Sequence, residues 1–381
     1  MEPLVNPVRP YAWGSRTVLA ALQGRPVPSP APEAELWIGA HPADPSTVTR
    51  PDGPLSLAAL VEADPAGTLG EPVARRFGAR LPFLLKLLAA AEPLSLQAHP
   101  DAERARERHA AGDPNYVDPY HKPELLVAVS EFEALCGFRE PALAAGLLDA
   151  LAVPRLDPIV ARLRAGDLRA AAAGLLGWPE QERSDLVKAV ATAAGPLTGD
   201  EGYGVVGRLA GHYPDDVGVV VSLLLNHVRL RPGEAIWMPA GNLHAYLCGS
   251  GVEVMATSDN VLRGGLTPKR VDVPELLRVL RFTPLTDPLV RPGAVAPGVV
   301  SWPARAAEFR LFRADLGGDV PAVELRLDGP RTVFCLDGDV VADDGSAVAL
   351  PAGAAAFGRA GRPLRLTGTG TAFIATTNLV P

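Results

Sequence analysis

Lysine is nearly missing from this chain. Of 36 basic residues only four are lysine, Lys86, Lys122, Lys188 and Lys269, in a sequence heavy in arginine, alanine, glycine and proline. Where a solvated cation is ordinarily written Arg, a surviving Lys is marked for its compact, tunable ammonium, which a guanidinium cannot imitate. Cysteine is scarce as well. Cys136, Cys248 and Cys335 are odd in number and far apart, which argues against a disulfide framework and suits a reducing compartment. No apolar run is long enough to span a bilayer, and the longest, residues 81–91, is interrupted by Lys86. The net charge of -7 comes without any basic stripe, which argues against a nucleic-acid partner and leaves room for a small anion. No charged segment followed by an apolar core opens the chain, so no signal peptide is read and a cytoplasmic protein, with no membrane partner, is expected.

What is present describes a globular protein of more than one core. Hydrophobic content of 48% with 21% charged residues excludes disorder, and 381 residues suggest two or three domains. Residues 1 to about 55 read as short strands and turns, followed by short helices at Ser56–Ala63 and Pro72–Phe77. The run Leu81–Leu88 has the length and continuity of a strand buried on both faces, where Lys86 is costly unless its amine reaches a polar cavity or an anion. Asp101–Ala110 reads as a solvated helix capped by Asp101. From Pro141 the texture becomes Ala, Leu and Arg at helical spacing, including a capped start at Ser184 and an apolar helix over Asp215–Asn226. Strand texture resumes at His227 and continues to the end. The expected fold is mainly β with an α insert: a discontinuous unit of residues 1–140 and 226–289, an all-helical insert at 141–225, and a second β unit at 290–381.

The stretch Leu94–Glu124 concentrates the chemistry. It holds three of the seven histidines and one of the four lysines. Gln97 and His99 stand two apart, a spacing that points both to one face of an extended strand. A Gln, a His and a nearby Glu make a candidate metal cage. A second motif, Gly233–His244, spaces Gly, Pro239, Gly241 and His244 so that Pro-Ala-Gly turns between two strands and His244 opens the second. This pattern resembles the second motif of the cupin superfamily, small β-barrels that hold a metal inside, and Gln97-x-His99 resembles the first, with its Glu displaced to Glu124.

Further segments narrow the resemblance. Trp13-Gly14, Trp37–Pro42, Gln97–Pro100, His121–Glu124, Ala134–Arg139, Gly241–His244 and Met255–Arg263 together resemble the type I phosphomannose isomerases over about residues 5–285. The resemblance implies two cupin-like antiparallel β-barrels of jelly-roll type, the second degenerate. It also implies one Zn²⁺ per chain, held by Gln97, His99, Glu124 and His244, and a monomer acting on a small-molecule sugar phosphate. Two histidines and a carboxylate suit zinc on chemical grounds, although other divalent metals would be nearly as acceptable. By the same resemblance Arg263 and Glu253 are catalytic candidates, and Lys122, which adjoins the ligand Glu124 and so lies beside the cation, is the third. Ser95, Lys86 and Lys269 are the candidates for a phosphate, which a hydroxyl and two ammoniums would bind well. Isomerisation of a related sugar and non-catalytic sugar binding by a metal-containing cupin stay open. His41 is expected to be a turn residue, and His109, His212 and His227 to be structural or exposed.

Overall fold

Extended segments, several of them apolar runs buried on both faces, form two large antiparallel sheets, of eleven strands each among the described residues. The computed structural model describes residues 1–50, 53–197 and 200–379. In the first sheet Ala235–Met238, Glu124–Ala128, His244–Ala256, Phe83–Ala90 and Glu35–Gly39 run side by side. Leu36, Ile38, Leu85, Leu87, Leu125, Val127, Val252 and Val254 belong to one core cluster with Phe309 and with Leu311, Phe334, Phe357 and Phe373 of the second sheet. The alternate positions Trp37, Lys86 and Glu253, directly opposite one another across the strands, form the other face.

One strand turns the corner that closes this unit. His244–Ala256 pairs at its start with Phe132–Phe138 and Leu96–Ala98, and from Gly249 onward with Phe83–Ala90 and Glu124–Ala128. Gly249 sits at the change of partner with φ +111°, and a Cβ there would lie 2.4 Å from the Glu131 carbonyl oxygen.

Between Phe132–Phe138 and Leu225–Leu230 the described residues hold helices and turns and no strand. The helices share a core with Leu96, Ala98, Leu135, Leu243, Ala245 and Leu247. Those are the alternates of Gln97, Cys136, His244 and Tyr246, so packing of the helices on one sheet face leaves the site residues on the other. Asp101 caps Ala102–Ala110 by accepting from Arg104 N at 2.8 Å, and Ser56 caps Leu57–Ala63.

Three expectations are corrected. Asp215–Asn226 is not one helix. It is a single turn, Gly218–Val221, a 3-10 turn, and then the strand Leu225–Leu230, as the β-branched run Val219–Val221 and the waiting edge of Phe132–Phe138 favour. The helix at Ser184 begins at Arg183 without a side-chain cap. Val8–Arg9 joins the first sheet beside Glu35–Gly39, but three other N-terminal strands of the unit expected at residues 1–140 do not. Glu2–Val5 pairs with Ala355–Gly358 and with Thr47–Arg50, which pairs with Gly53–Ser56, so all three extend the second sheet. Leu4 and Val48 sit in the shared core beside Phe357, a non-local pairing that local strand texture does not encode.

Candidate metal centre

His99, Glu124 and His244 converge although they lie on three separate segments. Gly241 N donates to the His99 carbonyl at 2.8 Å, so the Pro-Ala-Gly turn fastens the two histidine-bearing segments together. Each imidazole is held through Nδ1 by a backbone carbonyl, His99 by Asn260 O at 2.7 Å and His244 by Asn242 O at 3.0 Å. A carbonyl only accepts, so both rings carry their proton on Nδ1 and present an Nε2 lone pair. Both Nε2 atoms lie 3.3 Å from Glu124 Oε2. All three atoms are buried without a hydrogen-bond partner. Burial lowers the His99 pKa to about 4, only partly opposed by Glu124, and keeps that ring neutral. Burial acting alone would raise the Glu124 carboxyl, but the Lys122 ammonium beside it holds it well below the usual carboxylate range.

Three proton-free acceptors facing one another in a dry interior repel, and a cation removes the conflict. The donor set therefore fits a divalent metal. Gln97 stands directly opposite His244 on one side and Arg263 on the other, so the three share a sheet face. Arg263 is half-buried, its pKa is lowered by burial, and among the described residues no carboxylate pairs with it. Lys122 is buried with Nζ 2.9 Å from Glu124 Oε1.

A metal centre bordered by an unpaired guanidinium and a buried lysine narrows the choice of relatives, and comparison with known proteins decides it. Residues 1–141 match the family model described as phosphomannose isomerase type I, catalytic domain. Mannose-6-phosphate isomerase of Salmonella typhimurium is 38% identical over 97% of this chain and 98% of the relative. That of Shigella flexneri is 39% identical over 91% of each. The chain belongs to the type I phosphomannose isomerase family. The fold agrees over its full length. A variant of the Salmonella typhimurium phosphomannose isomerase superposes with TM-score 0.92 at 36% identity, covering 100% of both chains. A mannose 6-phosphate isomerase bound with zinc and yttrium gives 0.90 at 36% identity, again covering 100% of both.

Beside the phosphomannose isomerase metal centre runs a buried polar chain. Trp37 Nε1 donates to Glu35 Oε2 at 2.6 Å, and Lys86 Nζ lies 3.5 Å from Glu35 Oε1 and 3.4 Å from Glu253 Oε2. Tyr246 Oη donates to Glu253 Oε1 at 2.7 Å. Burial by itself would lower the Lys86 ammonium, but Glu35 and Glu253 outweigh it and raise its pKa. Burial raises the Glu253 carboxyl, with Lys86 opposing and Glu124 adding to the effect.

The phosphate candidates are not brought together in this way. Lys86 is 5% exposed and has two carboxylates, not a phosphate, as its anions. Ser95 is half-buried on the face shared with Gln97 by its two-residue spacing. Lys269 is exposed and lines a cavity of about 790 Å³ with Arg183, His212 and Arg270.

Sequence reasoning missed several members. Glu35 is two residues before Trp37 and Tyr246 two after His244, a period-2 signal that was there to be used. His41 opens a turn as expected, with Asp44 N donating to its carbonyl at 3.1 Å, but its side chain is also buried, meets Trp37 edge-on at 4.7 Å and places Nε2 3.3 Å from Asp259 Oδ1.

Proposed function

We propose that the chain interconverts D-mannose 6-phosphate and D-fructose 6-phosphate, with one Zn²⁺ held by Gln97, His99, Glu124 and His244. The observation that carries the reading is the buried trio of proton-free acceptors, His99 Nε2, His244 Nε2 and Glu124 Oε2, beside the unpaired Arg263. Moving the carbonyl from C1 to C2 removes a proton from C2 and returns one to C1, while negative charge builds on O1 and O2. The bound ion supplies Lewis-acid stabilisation of oxygen charge. Arg263, which pairs with no carboxylate among the described residues, offers a fixed positive charge to the same oxygens. Lys122 and Glu253 share the proton transfer: Lys122 is held against the ligand Glu124, and Tyr246 and Lys86 orient Glu253. Ser95 and Lys269 take the phosphate, and Lys86 serves the site by holding Glu253. The two sheets with their intervening helices support a reading as two cupin-like jelly-roll units with a helical domain inserted in the first.

The test is metal analysis and a coupled mannose 6-phosphate isomerase assay on the wild type and on His244→Ala. The variant is expected to lose both metal and turnover. Retention of both would overturn the metal assignment, and equal kcat/KM for mannose and its 6-phosphate would overturn the phosphate requirement.

A further inference from the structure

Immediately before Glu124 the chain passes through His121, Lys122 and Pro123, and this approach is gripped from two sides. On one side Asn260 Nδ2 donates to the carbonyls of Asp118 at 2.7 Å and Tyr120 at 2.8 Å, while its Oδ1 accepts from Val117 N at 2.8 Å. On the other side the Arg80 guanidinium lies 3.5 Å from the centre of the Tyr120 ring, and His121 Nε2 lies 2.8 Å from Glu308 Oε1.

Glu308 belongs to the bend between Val299–Ser301 and Arg310–Leu316, two strands of the second sheet. Burial acting alone would raise its carboxyl, but the hydrogen bond with His121 and the nearby Arg80 charge hold it below the ordinary carboxylate range. An ionised carboxylate only accepts, so the proton in this contact sits on His121 Nε2. The bend itself is fixed. Trp302 and Phe309 on either side of it are buried, and the Phe309 ring centroid is 5.9 Å from that of Trp237 in the first sheet. Asn378 Nδ2 donates to the carbonyls of Ala304 at 3.3 Å and Ala306 at 3.0 Å, and its N–H donates to Ala307 O at 3.0 Å.

Lys122 precedes a proline, which disfavours helix and favours extended backbone. Neighbouring side chains of an extended segment point to opposite sides. His121 accordingly meets Glu308 while Lys122 reaches Glu124.

We infer that Glu308 is a positioning residue for the isomerisation: by holding His121 it sets Lys122 in place against Glu124, so the second-sheet unit takes part in catalysis through one carboxylate. The inference rests on the function proposed above. Groups that orient metal ligands directly typically cost 10- to 100-fold when removed, and Glu308 acts further out, through His121 and Lys122, so the lower end, about tenfold, applies. In the full-length protein, Glu308→Ala is expected to lower kcat by about that factor, with zinc content and Tm near wild type and KM changed less than about twofold. Glu308→Gln keeps the acceptor oxygen and is expected to recover most of the loss. In a His121→Ala background, Glu308→Ala is expected to add nothing further. An unchanged kcat per bound zinc in Glu308→Ala, or effects of the two substitutions that multiply, would overturn the inference. Wild-type turnover with an indifferent Glu308→Ala sinks this inference alone, whereas a wild type unable to turn over mannose 6-phosphate sinks the functional reading with it.

Discussion

An ammonium placed 3.5 Å from Glu35 and 3.4 Å from Glu253, with the lysine only 5% exposed, is worth most to the two carboxylates beside it. Removing one member of such a buried network leaves uncompensated charge and costs about 3–5 kcal/mol. Lys86→Met is therefore expected to lower Tm markedly and to reduce kcat, with inhibition by inorganic phosphate little changed. Lys269→Ala should behave in the opposite way, since Lys269 is exposed: stability stays, while KM for mannose 6-phosphate and the inhibition constant for phosphate rise. Thermal melts and phosphate inhibition of the two variants, run side by side, decide the matter. A stable Lys86→Met with raised KM would return Lys86 to the phosphate. At this scale the sequence was informative about residue type and less so about partners. A lysine inside an apolar run had to reach an anion, but the run could not name Glu35, 51 residues earlier, as that anion.

Among the secondary elements, the thirteen-residue strand His244–Ala256 does the most to assemble the site. Its first turn of pairing presents His244 beside Gln97, and its second half presents Glu253 beside Lys86. Both depend on the change of partner at Gly249. There a side chain would need φ +111° and would press a Cβ to 2.4 Å from the Glu131 carbonyl oxygen. Such backbone strain costs on the order of 1–3 kcal/mol, with the steric clash added to it. Gly249→Val is expected to lower the urea midpoint and to reduce zinc content, because it displaces His244 relative to Gln97. A variant with unchanged midpoint and full metal would show that the corner forms without the glycine. Period-2 spacing made the site-facing residues of this strand readable, and helical spacing marked residues 141–194. Where periodicity was absent, as across Val219–Leu224, the apolar run was ambiguous between helix and strand and was settled by the edge it could pair with.

On the scale of the whole molecule, the two sheets are not independent halves. Leu36, Leu85, Val127, Val252 and their neighbours on the outer face of the first sheet are covered by Phe334, Phe357 and Phe373 of the second and by Phe309 in the bend before Arg310–Leu316. The second sheet in turn recruits Glu2–Val5, Thr47–Arg50 and Gly53–Ser56 from the beginning of the chain. Which strands pair across 300 residues depends on free backbone edges and matching apolar faces, neither of which is written in local texture; hence residues 1–140 looked like one unit. A fragment of residues 1–292 contains Gln97, His99, Lys122, Glu124, His244, Glu253 and Arg263, yet it would expose that apolar face and leave Glu2–Val5 without its partner Ala355–Gly358. Contiguous apolar patches of this kind drive association. The fragment is expected to aggregate, to bind a hydrophobic dye strongly and to show no isomerase activity. Light scattering, dye fluorescence and the coupled assay on the fragment check this directly. A monodisperse and active fragment would mean that the first sheet closes its core unaided, and that the second serves neither folding nor, through Glu308, the site.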